Sequence, residues 1–121
     1  MTYNSRFVAD IAKILIQYAS NGKLITYKEL TDSFGNIISP RNTGGPLGVI
    51  SEVCSQAGLP MLSAIVVNGS TGIPGEGFFI LFKELKGEMH LKPWDEWLQE
   101  CQKIWAVKDW EPLIDTLNGV R

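Results

Sequence analysis

Cys54 and Cys101 are the strongest nucleophiles in this sequence, and His90 is its single imidazole. Thiolate chemistry needs a neighbouring base or cation to take the sulfur's proton. Neither cysteine has one. Cys54 sits in "ISEVCSQAG" and Cys101 in "WLQECQKIW", apolar-periodic runs without a histidine. Two cysteines and one histidine, none at ligand spacing, also leave nothing to build a zinc site, so neither a metal nor a cofactor is expected. Both cysteines read as buried free thiols. Glu52 and Glu76 are the acids nearest to a catalytic pair, and their spacing does not support one. Ser63 lies in an apolar run with no histidine in its motif to activate it. Enzymatic chemistry is not expected, and only a pocket formed by Glu76 and the glycines around it would change that reading.

What the sequence carries instead is chemistry for contact. In "PRNTGGPLG", Arg41, Asn42 and Thr43 precede Gly44, Gly45 and Pro46, just before an apolar-periodic run. With Thr43 as N-cap, the glycines and proline become the first helical positions, where amides have no intrahelical acceptor. Bare of side chains, that terminus offers free amides and a positive dipole end to an anion such as a phosphate, with Arg41 directly upstream. The same residues serve equally as a plain helix cap. Thr26, Tyr27 and Lys28 form a second cluster: a capping box with Glu29, or a hydroxyl and an ammonium for phosphate contact. Asn68, Ser70 and Thr71 in "NGSTGIPGE" form a third, suited to lie along a backbone or simply to close a loop.

These clusters need elements to hold them. The spacing of Phe7, Val8, Ile11, Ile14, Leu15 and Tyr18 predicts a helix over 5–20, ended by Asn21-Gly22. A short helix is expected over 27–34. A third, over 44–57, carries Leu47, Ile50, Val53, Cys54 and Ala57 on one stripe. The runs "LSAIVV" (62–67) and "GFFILF" (77–82) read as two strands of an antiparallel hairpin whose nine-residue tip is long enough to be functional. Trp94, Trp97, Leu98, Cys101, Ile104 and Trp105 then share a helical face. A last helix follows, capped by Asp109 and with Pro112 in its first turn.

Helix, helix, helix and hairpin is the order of a winged helix-turn-helix. The stretch "NGKLITYKELTDSFG…SPRNTGGPLG…LPMLSAIVVNGSTGIPGEGF" also resembles the DNA-binding region of the O6-alkylguanine-DNA alkyltransferases and their alkyltransferase-like relatives, over about residues 10 to 78. The resemblance implies that Thr26-Tyr27 matches the family's Thr-Tyr, whose tyrosine packs near a phosphate. It implies that Arg41 matches the arginine inserted into the duplex and Thr43-Gly44-Gly45 the Val-Gly-Gly opening the recognition helix. Gly69 to Gly75 resembles the glycine-rich segment beside the family's active site. Where the family has Pro-Cys-His-Arg, this chain has Leu62-Ser63-Ala64-Ile65, so alkyl transfer is rejected.

The whole chain sets outer limits. At 121 residues, 45% hydrophobic and 20% charged, it fits one soluble globular domain. No apolar run approaches a membrane span and the N-terminus lacks a signal-peptide pattern, so no membrane partner and a cytoplasmic location are expected. Net charge is −2, placed unevenly: residues 1–60 hold five bases against four acids, residues 61–121 six against nine. Nucleic acid, if bound, belongs to the first half. The expectation is a single α+β domain over 1–121: a winged helix-turn-helix core with a β-hairpin wing (1–82) and a C-terminal helical extension (83–121). Its expected function is non-enzymatic binding of nucleic acid, in particular double-stranded DNA, by a bacterial or phage protein through the helix beginning at Gly44. The alternative is an acidic protein-interaction module, of the inhibitor or immunity type, that grips a partner protein through Trp94, Trp97, Trp105 and Trp110 or the glycine-rich loop.

Overall fold

The computed structural model describes residues 5–33 and 44–119. Val8, Ile11, Ala12, Leu15 and Ala19 recur at helical spacing, and α1 (Ser5–Ser20) buries all five along one side. Gly22, at φ 66°, turns the chain out of it. The pair Ile25–Thr26 (β1) leads into α2 (Tyr27–Asp32), whose start is set by the expected capping box: the Glu29 amide donates to Thr26 Oγ1 at 3.0 Å and the Thr26 amide to Glu29 Oε1 at 2.9 Å. Next comes α3 (Gly44–Gln56), with Leu47, Ile50 and Cys54 turned inward.

At the centre lies the segment 61–67, every residue of which is buried. Its first part is a 3-10 turn (Leu62–Ile65) and its last a two-residue strand, β2 (Val66–Val67). β2 pairs in parallel with β1, Ile25 opposite Val66 and Thr26 opposite Val67. Around this strap the chain adds α4 (Glu76–Lys86), α5 (Pro93–Ala106) and α6 (Glu111–Leu117). α1, α3 and α5 pack on the 3-10 turn, and α6 closes over α1 and α3.

The architecture is therefore predominantly helical, not α+β, and the expected winged helix-turn-helix with a β-hairpin wing is overturned. The segment 61–65 turns because its polar backbone finds partners on α5, and only Val66–Val67 pairs with a strand, which is β1 and not the run 77–82. The Ala64 carbonyl accepts from Trp97 Nε1 at 2.8 Å and lies 3.8 Å from the Cys101 sulfur, while the Met61 amide donates to Glu100 Oε2 at 2.7 Å. The run 77–82 is helix because it continues into "KELK": Phe78 and Phe82, four apart, are buried, with Leu81 and Leu85 packed beside them. Gly75 caps that helix, Glu76 lies in its first turn, Lys83 and Lys86 in its last, and Gly87 at φ 86° ends it. The nine residues "NGSTGIPGE" thus join β2 to α4 instead of tipping a hairpin. Their fold is local, with the Asn68 amide bonded to the Ile73 carbonyl and the Gly72 amide to the Asn68 carbonyl, both at 2.8 Å.

The C-terminal helices lie where expected, but their apolar face divides. Trp97, Cys101 and Ile104 are buried and Trp105 half-buried, whereas Trp94 and Leu98 face solvent. Trp110 is buried, its indole N–H without a partner among the described residues. Asp109 Oδ1 accepts from the Glu111 amide at 3.0 Å, and Pro112 sits in the first turn of α6. No helix among the described residues is long and apolar enough to cross a membrane.

Candidate functional site

The capping box fixes Tyr27 as the first residue of α2 and aims its hydroxyl across the molecule. There it accepts a hydrogen bond from the Gly75 amide at 3.1 Å, tying α2 to the N-terminus of α4. Between these two and the first turn of α3 opens a cleft of about 500 Å³. Gly44, Leu47 and Gly48 of α3 form one wall, Phe78 and Leu81 of α4 the other, and Ser63 and Asn68 contribute polar groups from the central strap and its exit. The volume lies within the range of small-molecule sites.

Three glycines on the rim matter for space. Beyond its own helix, a Cβ at Gly44, Gly48 or Gly77 would meet no atom within 4 Å, so these cleft-lining positions have open space beside them. A ligand can approach the backbone closely there.

The polar groups are committed by their neighbours. Ser51 Oγ lies 3.0 Å from the Leu47 carbonyl and 2.6 Å from Ser63 Oγ. When Ser51 gives its only proton to that carbonyl, Ser63 donates to Ser51 and keeps its lone pairs for the cleft. Tyr27, already accepting from Gly75, has its own proton free to donate. The described lining contains no carboxylate, imidazole, amine or thiol. An uncharged group with both hydrogen-bond donors and acceptors suits such a lining; a buried charge does not.

Of the expected contact residues, Tyr27, Gly44 and Asn68 meet at this cleft. Thr26 spends its hydroxyl on the cap. Lys28 forms an exposed pair with Asp32 at 2.9 Å. Gly45 is half-buried beside Gly44 in the first turn of α3, while Ser70 and Thr71 are exposed on the β2–α4 loop, Thr71 bonding locally to Ile73. Arg41, Asn42 and Thr43 lie outside the described residues. Reasoning from sequence missed Ser63, Gly48, Phe78 and Leu81. The one signal for them was the excess of glycine at 44, 48, 75 and 77, on helix N-terminal turns where glycine has no capping advantage over serine or aspartate.

The thiols stand apart from this chemistry. Burial pushes the Cys54 thiol up to about 11 and that of Cys101 up to about 12, with the Glu100 charge adding to both. Both therefore stay protonated near neutrality. Iodoacetamide at about pH 8 is expected to leave both unmodified in the folded protein and to label both after unfolding, as mass spectrometry would read. Labelling of either in the folded state contradicts this. The folded thiols hold their protons above the ordinary value of 9.0, so their contribution to stability is complete below about pH 9 and declines as pH rises towards 12.

No group of three or more metal-ligating side chains comes together among the described residues. No protein-family model, curated protein or solved structure matches the chain.

Proposed function

We propose that the chain is a non-enzymatic nucleic-acid-binding module that seats a phosphate at the N-terminus of α3 and an unstacked base of duplex DNA in the cleft beside it. The observation that carries this reading is the juxtaposition itself: a helix N-terminus without an acid in its first turn opens on the rim of a cleft whose described lining is uncharged and includes Tyr27 and Phe78. The terminus attracts an anion through its dipole and orphan amides, whereas the cleft takes a neutral planar ring with donors and acceptors on its edge. A nucleotide offers both at once. The resemblance of Thr26-Tyr27 and Thr43-Gly44-Gly45 to the alkyltransferase motifs supports the same reading, and Ser63, at the position that the resemblance gives to that family's nucleophile, lines the cleft. Without a base nearby, Ser63 contacts the ligand and does not attack it. Net charge of −2 makes a grip on phosphates alone weak, so the base contributes much of the affinity.

A titration followed by anisotropy tests this, using a fully paired labelled duplex and one carrying a single unpaired 2-aminopurine. Tighter binding to the second is expected, because the cost of unstacking is least for an unpaired base. A change in 2-aminopurine emission, weaker binding at about 200 mM than at about 50 mM salt, and a uniform loss in Arg41→Ala should accompany it. Absence of binding to either duplex at the lower salt would sink the proposal.

A further inference from the structure

All four large apolar side chains that remain exposed among the described residues fall within one stretch of chain: Ile80 at 54%, Leu91 at 43%, Trp94 at 52% and Leu98 at 43%. Scattered single exposures need no explanation, but such a concentration does. Beside Ile80 runs a groove of about 370 Å³, floored by Phe79, Met89 and Pro93. α4 separates it from the cleft, since Phe78 and Leu81 face the cleft and Phe79, Ile80 and Lys83 the groove. The connection carrying Leu91 is held in place: Glu96 Oε1 accepts from the amides of His90 and Leu91 at 3.1 and 2.9 Å. Little ordering is then left to be done when a partner arrives.

Charge identifies the kind of partner. Glu76 and Glu88 stand on the groove's rim against the single Lys83. Glu84 on α4 and Asp95 on α5 are also exposed, as is Lys92 just before α5, while Lys86 is engaged by the buried Glu100 at 3.0 Å. We infer that the α4–α5 face is a second binding site, distinct from the cleft, that docks a basic amphipathic segment of a partner protein. Its apolar side enters the groove and covers Trp94 while its lysines or arginines meet the acidic rim. Of the four tryptophans, only Trp94 is exposed enough to anchor such a contact.

The test uses the full chain and two labelled peptides of about 14 residues, long enough for a short helix, with leucines at helical spacing and either lysines or glutamates elsewhere. Anisotropy should show binding of the lysine peptide and none of the glutamate peptide. Ile80→Asp and Trp94→Ala, both at exposed positions, should keep the unfolding midpoint and weaken binding about tenfold or more. The sign of the first variant is diagnostic, because an attraction that was only electrostatic would grow when an aspartate is added. Equal binding of both peptides, or undiminished binding by both variants, overturns the inference. So does sedimentation showing a dimer that Ile80→Asp dissolves, since the occupant would then be a second copy of the chain.

Discussion

Gly48→Phe is expected to remove the base-dependent part of nucleic-acid binding while leaving the protein folded. Gly48 is half-buried on α3, lines the cleft, and has no atom within 4 Å of where a Cβ would stand. A benzyl group there adds bulk at the cleft lining, where no neighbour beyond the helix itself stands in its way. The preference for an unpaired over a paired duplex should fall to nearly nothing, a loss of about tenfold or more. The salt-dependent attraction for phosphate, which needs only the outer turn of α3, should persist. Gly48→Ala separates folding from binding, because alanine replaces glycine inside a helix with a gain of about 0.5–1 kcal/mol. A more stable alanine variant beside a phenylalanine variant that folds and no longer discriminates is the expected pattern. Unchanged discrimination in Gly48→Phe would move the base out of this cleft.

Glu100→Ala is expected to destabilise the fold by about 3 kcal/mol, measured as the shift in urea unfolding. Glu100 is only 1% exposed, yet it joins three elements: its carboxylate on α5 accepts from the Met61 amide of the central strap and pairs with Lys86 at the end of α4. Lys103 stands farther off, at 3.9 Å. Alanine leaves the Met61 amide without an acceptor, the larger loss. Lys86 is partly exposed and can turn to water, so its share is smaller. Glu100→Gln keeps an acceptor for the amide and gives up the charge, which predicts less than half the loss. Equal losses in the two variants would show that the ion pair, not the amide bond, holds this corner.

The helices that sequence alone located are those whose evidence is local. The periodicity of α1, the Thr26–Glu29 box that starts α2, the stripe of α3 and the proline-opened α6 depend on residues within a few positions of one another. Those forces act whatever the rest of the chain does. The acid-free start of α3 was legible for the same reason, since a helix N-terminus is defined by its own first turn. That both cysteines are buried free thiols was equally plain, because each sits within an apolar-periodic run.

What was not legible lies at 62–67 and 77–82. A short apolar run suits a buried strand or a buried helix equally, and only its partners decide. For 61–65 the deciding partners are the Glu100 carboxylate on the Met61 amide and the Trp97 indole on the Ala64 carbonyl, both more than thirty residues away. For 77–82 it is the burial of Phe78 and Phe82 on one side of α4. The cleft is further still from local reading. Tyr27 and Gly75 are 48 positions apart, and their hydrogen bond ties the start of α2 to the start of α4, both of which line the cleft. Residue types by themselves determined those helices whose signals are local, α1, α2, α3, α5 and α6. Long-range pairing of buried polar backbone decided that the centre is a 3-10 strap rather than a sheet, and with it where the cleft opens, because a backbone group removed from water takes whichever partner the folded chain places within reach.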